Sequence, residues 1–147
     1  MAVAYYSFRL LQSVFIGIGI ATIIALLNLN VSNLGDLGLT LNTSFENIHR
    51  TSYAIGANLM LGLSAIIYSS MFLRTDILPK WLAIFGIIAA VLVFIGGSLE
   101  VFRFLIPNGP VKILFSLPVG IFEITVAIVL ITRGFNIDAL NELIKIL

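Results

Sequence analysis

A chain of 147 residues that is 60% hydrophobic and only 10% charged cannot cover a globule in water, because soluble domains carry about 25% charged residues. Its net charge of +1, without a long basic or acidic run, excludes the electrostatic footprint of a nucleic-acid binder. The absence of cysteine excludes disulfides, thiolate metal sites and thiol redox chemistry.

Four apolar runs, 10–29, 53–73, 81–99 and 113–132, fill most of the chain. About 20 apolar residues rising 1.5 Å each cross a hydrocarbon core of about 30 Å. The fold class predicted is therefore an all-α integral membrane protein, a four-transmembrane-helix bundle over residues 1–134 with spans near 4–29, 47–73, 79–101 and 112–133. The length leaves no room for a separate soluble domain. The first run exceeds the apolar stretch of a secretory signal and lacks an A-x-A-like cleavage site, so it reads as a retained span.

In chain order, Asn28-Leu29-Asn30 and a polar stretch with Ser32, Asn33, Gly35 and Gly38 end the first run. Thr43-Ser44-Phe45-Glu46 has the capping-box pattern and predicts the start of the second helix. Pro79 is placed to begin the third helix, with Lys80 and Trp81 at headgroup level. Pro107-Asn108-Gly109-Pro110 predicts a tight turn. Over 135–147, Ile137, Leu140, Leu143, Ile144 and Leu147 oppose Asp138, Asn141, Glu142 and Lys145. This pattern describes a short amphipathic C-terminal helix, lying on the membrane surface or capping the bundle or a partner chain. Four spans place Arg9, Arg74, Lys80, Arg133 and Lys145 on one side and Arg50, Arg103 and Lys112 on the other. The positive-inside rule then puts both termini in the cytoplasm.

Helices in lipid associate through small side chains and polar groups. A stripe of such residues runs along each span: Ser13, Gly17, Ala21 and Asn28 in the first; Thr51, Ala54, Asn58, Gly62, Ala65 and Ser69 in the second. The third carries Ala83, Gly86, Ala90, Val93, Gly97 and Glu100, and the fourth Ser116, Gly120, Glu123, Ala127 and Gly134. These stripes are expected to face one another across a narrow, somewhat polar interior, with close packing as the plainer role for most of them.

Glu123 stands out at the centre of the fourth run. A carboxylate there costs about 2.5–3.5 kcal/mol or more unless protonated, paired or hydrated. Its place on the small-residue stripe predicts that it faces the bundle, and Pro118 nearby frees the carbonyl of Leu114. Either a structural bond between helices or a charge-switching role fits such an acid. The partner best matched in depth is Arg9, with Gln12 and Ser13 one turn on, although Arg9 can also snorkel beside Tyr5 and Tyr6.

A second polar group, Asn28, Thr51, Asn58, Glu100 and His49, gathers toward the opposite surface and is expected to line a watery pocket. Glu46 and His49 have the E-x-x-H spacing of carboxylate-bridged di-iron bundles. Those sites need two such motifs and further glutamates, so capping for Glu46 and interfacial solvation for His49 are the simpler readings, and no metal is assigned. No nucleophile–base pair, phosphate loop or zincin helix is present in the sequence, so no catalytic residue and no cofactor is assigned.

Several segments resemble a known family. They are Leu73-Arg74-Thr75-Asp76-Ile77-Leu78-Pro79-Lys80-Trp81-Leu82-Ala83-Ile84-Phe85-Gly86, Leu117-Pro118-Val119-Gly120-Ile121-Phe122-Glu123 followed by Arg133-Gly134-Phe135, and Tyr5-Tyr6-Ser7-Phe8-Arg9-Leu10-Leu11-Gln12. They are similar to the prokaryotic multi-span family catalogued as domain of unknown function four-three-eight-six, over nearly the whole chain. Members usually have further spans before the arginine helix, so the chain is short relative to the family at its N-terminus. Gln12 stands where members often have glutamate. The resemblance implies a cell (inner) membrane protein of bacteria or archaea and carries no activity with it.

The expectation is a multi-pass protein in the lipid bilayer, assembled as a homo-oligomer or within a larger membrane complex. It binds or transports a small ligand or ion through Glu123, with Arg9 as counter-ion, Gln12 beside it, and Asn58, Glu100 and His49 toward the other surface. The rival is a non-catalytic accessory subunit in which Glu123 and Arg9 only hold helices together.

Overall fold

The computed structural model describes residues 2–29, 35–106, 109–134 and 136–137. The described residues form no strand. The helices are α1 (Ala2–Asn28), α2 (Gly35–Tyr53), a π-helical segment (Ala54–Met60), α3 (Leu61–Thr75), α4 (Lys80–Val101) and α5 (Pro110–Arg133). The protein is an all-α bundle, and four of its continuous helices are long and apolar enough to cross a membrane.

The second of these differs from the sequence expectation. It runs unbroken from Gly35 to Thr75, 41 residues, or about 60 Å at 1.5 Å per residue, twice a hydrocarbon core. Its polar first half, α2, continues the helix instead of preceding it. Thr43 and Ser44, expected as caps, lie inside α2 and donate to the carbonyls of Leu39 and Thr40 four residues back. Asp36 in the first turn and Arg74 in the last complement the dipole of this continuous helix. Other boundaries agree with their local chemistry. Pro79 precedes α4, and its carbonyl accepts from Leu82 and Ala83 at 2.9 and 3.3 Å. Pro110 opens α5 behind Gly109, whose N–H reaches the Ile106 carbonyl at 3.1 Å. α4 closes with a Schellman arrangement: Phe104 N–H to Leu99 at 2.8 Å, Arg103 N–H to Glu100 at 3.0 Å, and Arg103 at φ 63°. The C-terminal amphipathic helix expected over 135–147 falls almost entirely outside the described residues.

Packing centres on α4. Every member of its predicted stripe, from Ala83 to Glu100, is buried, and the facing stripe of the long helix is buried from Ala54 to Ser69. Glycine sets the separation. A Cβ on Gly62 would meet Phe94 and the Ala90 carbonyl, one on Gly97 would meet Asn58, and one on Gly86 would meet Phe122 and Ser69. The π turn brings Gly56 so near α1 that a Cβ there would lie 2.9 Å from Phe15 and 3.1 Å from the Gln12 carbonyl.

The stripes expected on α1 and α5 do not meet this interior. Ser13, Gly17, Ala21 and Asn28 are exposed, as are Gly120, Glu123, Ala127 and Gly134, while Ser116 is half-buried. α5 instead buries Lys112, Val119 and Phe122. Phe122 fits the recess left by Gly86, so a large ring on one helix faces a glycine on the other. Small-residue periodicity locates a face, but not the neighbour that covers it.

Candidate functional site

α1 packs on the long helix, and α5 packs on α4; α1 and α5 do not pack extensively on each other. The cleft left between them has α3 as its floor. Tyr68 of α3 lies edge-on to Tyr5 of α1, centroids 5.8 Å apart, and stacks on Phe122 of α5 at 5.7 Å. Tyr5, Arg9, Tyr68, Met71, Phe72, Glu123 and Val126 line a cavity of about 420 Å³. Its walls are mostly apolar and aromatic, with two charged groups at one point.

Those groups are Arg9 and Glu123. Arg9 Nη2 lies 3.4 Å from Glu123 Oε1 and bridges the opening. The arginine is held from two other directions, with Nε donating to the Tyr5 hydroxyl at 3.3 Å and Nη1 to Gln12 Oε1 at 3.1 Å. These groups share a face because positions three and four apart on a helix are neighbours. Among the described residues, Arg9 is the one hydrogen-bond partner of Glu123. The pair is not sealed: the side chains are 32% and 45% exposed. Glu123 therefore borders an open cleft rather than the enclosed interior its stripe implied.

The second polar group is divided. Glu100 at the end of α4 is buried, and Lys112 Nζ approaches its two carboxylate oxygens at 2.8 and 2.7 Å. Asn58 of the π segment donates to Glu100 Oε2 at 3.0 Å. Lys112 Nζ also stands 5.6 Å from the Tyr53 ring centroid, a cation–π distance. His49 Nδ1 lies 2.9 Å from the Gly19 carbonyl and, as the only possible donor of the two, ties α2 to α1 through an Nδ1–H tautomer. Beside this network Glu46, His49, Arg50, Tyr53, Ile106 and the Glu100–Lys112 pair line a cavity of about 630 Å³. Thr51 and Asn28 are exposed and lie outside this lining, while Thr51 borders a smaller recess beside Glu100. No cluster of three or more metal-ligating His, Asp or Glu side chains occurs among the described residues, and Glu46 and His49 sit in this outer cavity without further carboxylates of the di-iron pattern.

Lys112 is the principal residue that sequence reasoning passed over, counting it only as an outer-side charge. Opposite charges twelve residues apart, on either side of the Pro107–Pro110 segment, are the signal that marks it. Tyr5, Tyr68 and Phe72 were equally invisible as cleft walls, since aromatic residues in an apolar span look like lipid-facing bulk.

The family model described as Domain of unknown function (DUF4386) matches residues 1–134. The chain belongs to this family. Both polar sites lie within the matched region, as do all four apolar helices, and this DUF4386 member is a multi-pass membrane protein. No curated protein and no solved structure matches the chain.

Proposed function

We propose that this DUF4386 protein binds a small ligand inside the bilayer, as a transport-type protein, in the cleft between α1 and α5. Glu123 is the group that changes charge and Arg9 is its counter-ion. The observation that carries this reading is the Arg9–Glu123 pair spanning an open, aromatic-floored cavity at 3.4 Å with both side chains part-exposed. A pair that locks helices needs close contact and further hydrogen bonds to offset its desolvation, as Lys112–Glu100 has; a loose charged pair in an apolar cleft suits exchange of partners. The far end of the bundle, pinned by Asn58, Glu100 and Lys112, stays fixed while the α1–α5 side accepts the ligand. The end bearing Arg74, Lys80 and Arg133 faces the cytoplasm, following the larger share of positive charge.

The test is ligand binding against pH for wild type and Glu123→Gln. Binding that varies with pH in the wild type, and ceases to vary in the variant, is the expected result. An identical pH profile in both proteins overturns the proposal.

A second reading has its own support. The small-residue faces of α1 and α5 are exposed, and no atom of the described residues lies within 4 Å of where a Cβ on Gly17 or Gly120 would sit. An accessory subunit would cover those faces with other membrane helices, its own copies or foreign ones. Native mass spectrometry after gentle extraction distinguishes them: a stoichiometric foreign partner favours the accessory role.

A further inference from the structure

Charge bookkeeping in the α1–α5 cleft narrows the ligand. With Glu123 ionised, the site holds one positive and one negative group and is neutral. Adding a cation would leave a net positive charge in a low-dielectric cavity, and adding an anion a net negative one, and either is electrostatically unfavourable. For a ligand that carries net charge, one pair of events avoids this: a proton on Glu123 and a single negative charge on Arg9. We infer that the Arg9–Glu123 cleft takes a monoanionic amphiphile, a carboxylate on an apolar or aromatic body, together with one proton. The inference rests on the binding reading above and names its substrate class.

Three features of the site fit this occupant. The guanidinium is already oriented by Tyr5 and Gln12 at 3.3 and 3.1 Å, so it keeps its aim when Glu123 is neutralised. Its Nη2, the group now facing Glu123 Oε1, is then free to donate a charge-assisted hydrogen bond to the ligand's carboxylate. Gln12 accepts from Arg9 without adding charge, which leaves Glu123 as the one carboxylate among the described residues that line the cavity. A second acid at Gln12 would neutralise Arg9 in both states and leave an anion no vacancy. The remaining wall, with Tyr68, Met71, Phe72 and Val126, is suited to a hydrophobic body, and 420 Å³ lies in the range of small-molecule sites. The titratable groups around Glu123 are Arg9 and Tyr5 from α1 and Tyr68 from α3; α4 contributes none to the lining.

The experiment uses the full chain in nanodiscs of zwitterionic lipid, with 8-phenyloctanoate and 8-phenyloctylammonium as probes of matched body and opposite charge. Calorimetry in two buffers of different protonation enthalpy counts the protons exchanged. The carboxylate should bind with uptake of about one proton, and its affinity should fall about tenfold per pH unit where Glu123 is ionised. Glu123→Gln, an imitation of the protonated acid, should keep the affinity while losing proton uptake and pH dependence. Gln12→Glu should lower carboxylate affinity at least tenfold, and Arg9→Gln should do the same. Preference for the ammonium probe, or carboxylate binding with no proton uptake in the wild type, overturns the substrate class. If the ammonium probe binds in a pH-dependent way that Glu123→Gln removes, the Glu123 reading stands and only the substrate class falls. If neither probe binds, the substrate class also falls.

Discussion

Lys112 at the start of α5 and Glu100 at the end of α4 form a buried ion pair, the ammonium 2.7 Å from one carboxylate oxygen and 2.8 Å from the other. Both side chains are less than a tenth exposed, and Asn58 from the π segment supplies a further bond to Glu100. Three elements thus converge on one carboxylate. Removing one member of such a pair leaves an uncompensated charge, which costs about 3–5 kcal/mol. Lys112→Met should therefore lower the melting temperature in detergent sharply, and adding Glu100→Gln should recover most of the loss. Equal melting of the single and double variants would show that the carboxylate does not depend on the ammonium.

Two glycines in similar sequence surroundings should respond in opposite ways. Gly86→Ala inserts a methyl group against Phe122 and Ser69, and overpacking of this kind costs about 1–3 kcal/mol. Gly120→Ala meets no atom of the described residues within 4 Å and gains up to about 1 kcal/mol of helix propensity. Thermal unfolding of each variant in detergent checks the contrast. A loss at Gly120 as large as at Gly86, accompanied by a change of oligomeric state, would mean that the α5 outer face is covered in the native assembly.

Arg103 occupies the left-handed position of the α4 Schellman motif, φ 63°, where side chains cost about 1–2 kcal/mol relative to glycine. Arg103→Gly should raise unfolding stability by about 1 kcal/mol, read from denaturant or thermal midpoints. A decrease would mean that the Arg103 side chain contributes more to the Arg50–Glu100 neighbourhood it borders than its backbone strain costs.

Sequence alone revealed what composition and period control. The four apolar helices follow from run length, Pro79 marks the helix start it precedes, and the buried stripes of α3 and α4 follow from small residues at helical spacing. Arg9 was matched to Glu123 by depth, and the two are in fact adjacent. What could not be read depends on three-dimensional neighbours. Exposed Gly120 and buried Gly86 look alike in a run of apolar residues; only the ring of Phe122 distinguishes them. The Thr43–Glu46 pattern read as a helix start because hydroxyls and acids favour caps, yet the same hydroxyls bond within a helix when the chain continues. Nothing local forecasts the π segment. It sets Gly56 against α1 and Asn58 against Glu100, a requirement imposed by two partners at once.

The most direct measurement is infrared difference spectroscopy of the carboxyl stretch of Glu123, assigned by its loss in Glu123→Gln, with and without a bound amphiphilic carboxylate. The account predicts a protonated carboxyl band that appears on binding, at a pH where the ligand-free protein shows Glu123 ionised beside Arg9. A Glu123 that stays ionised with the carboxylate bound, or whose spectrum ignores the ligand altogether, would contradict it.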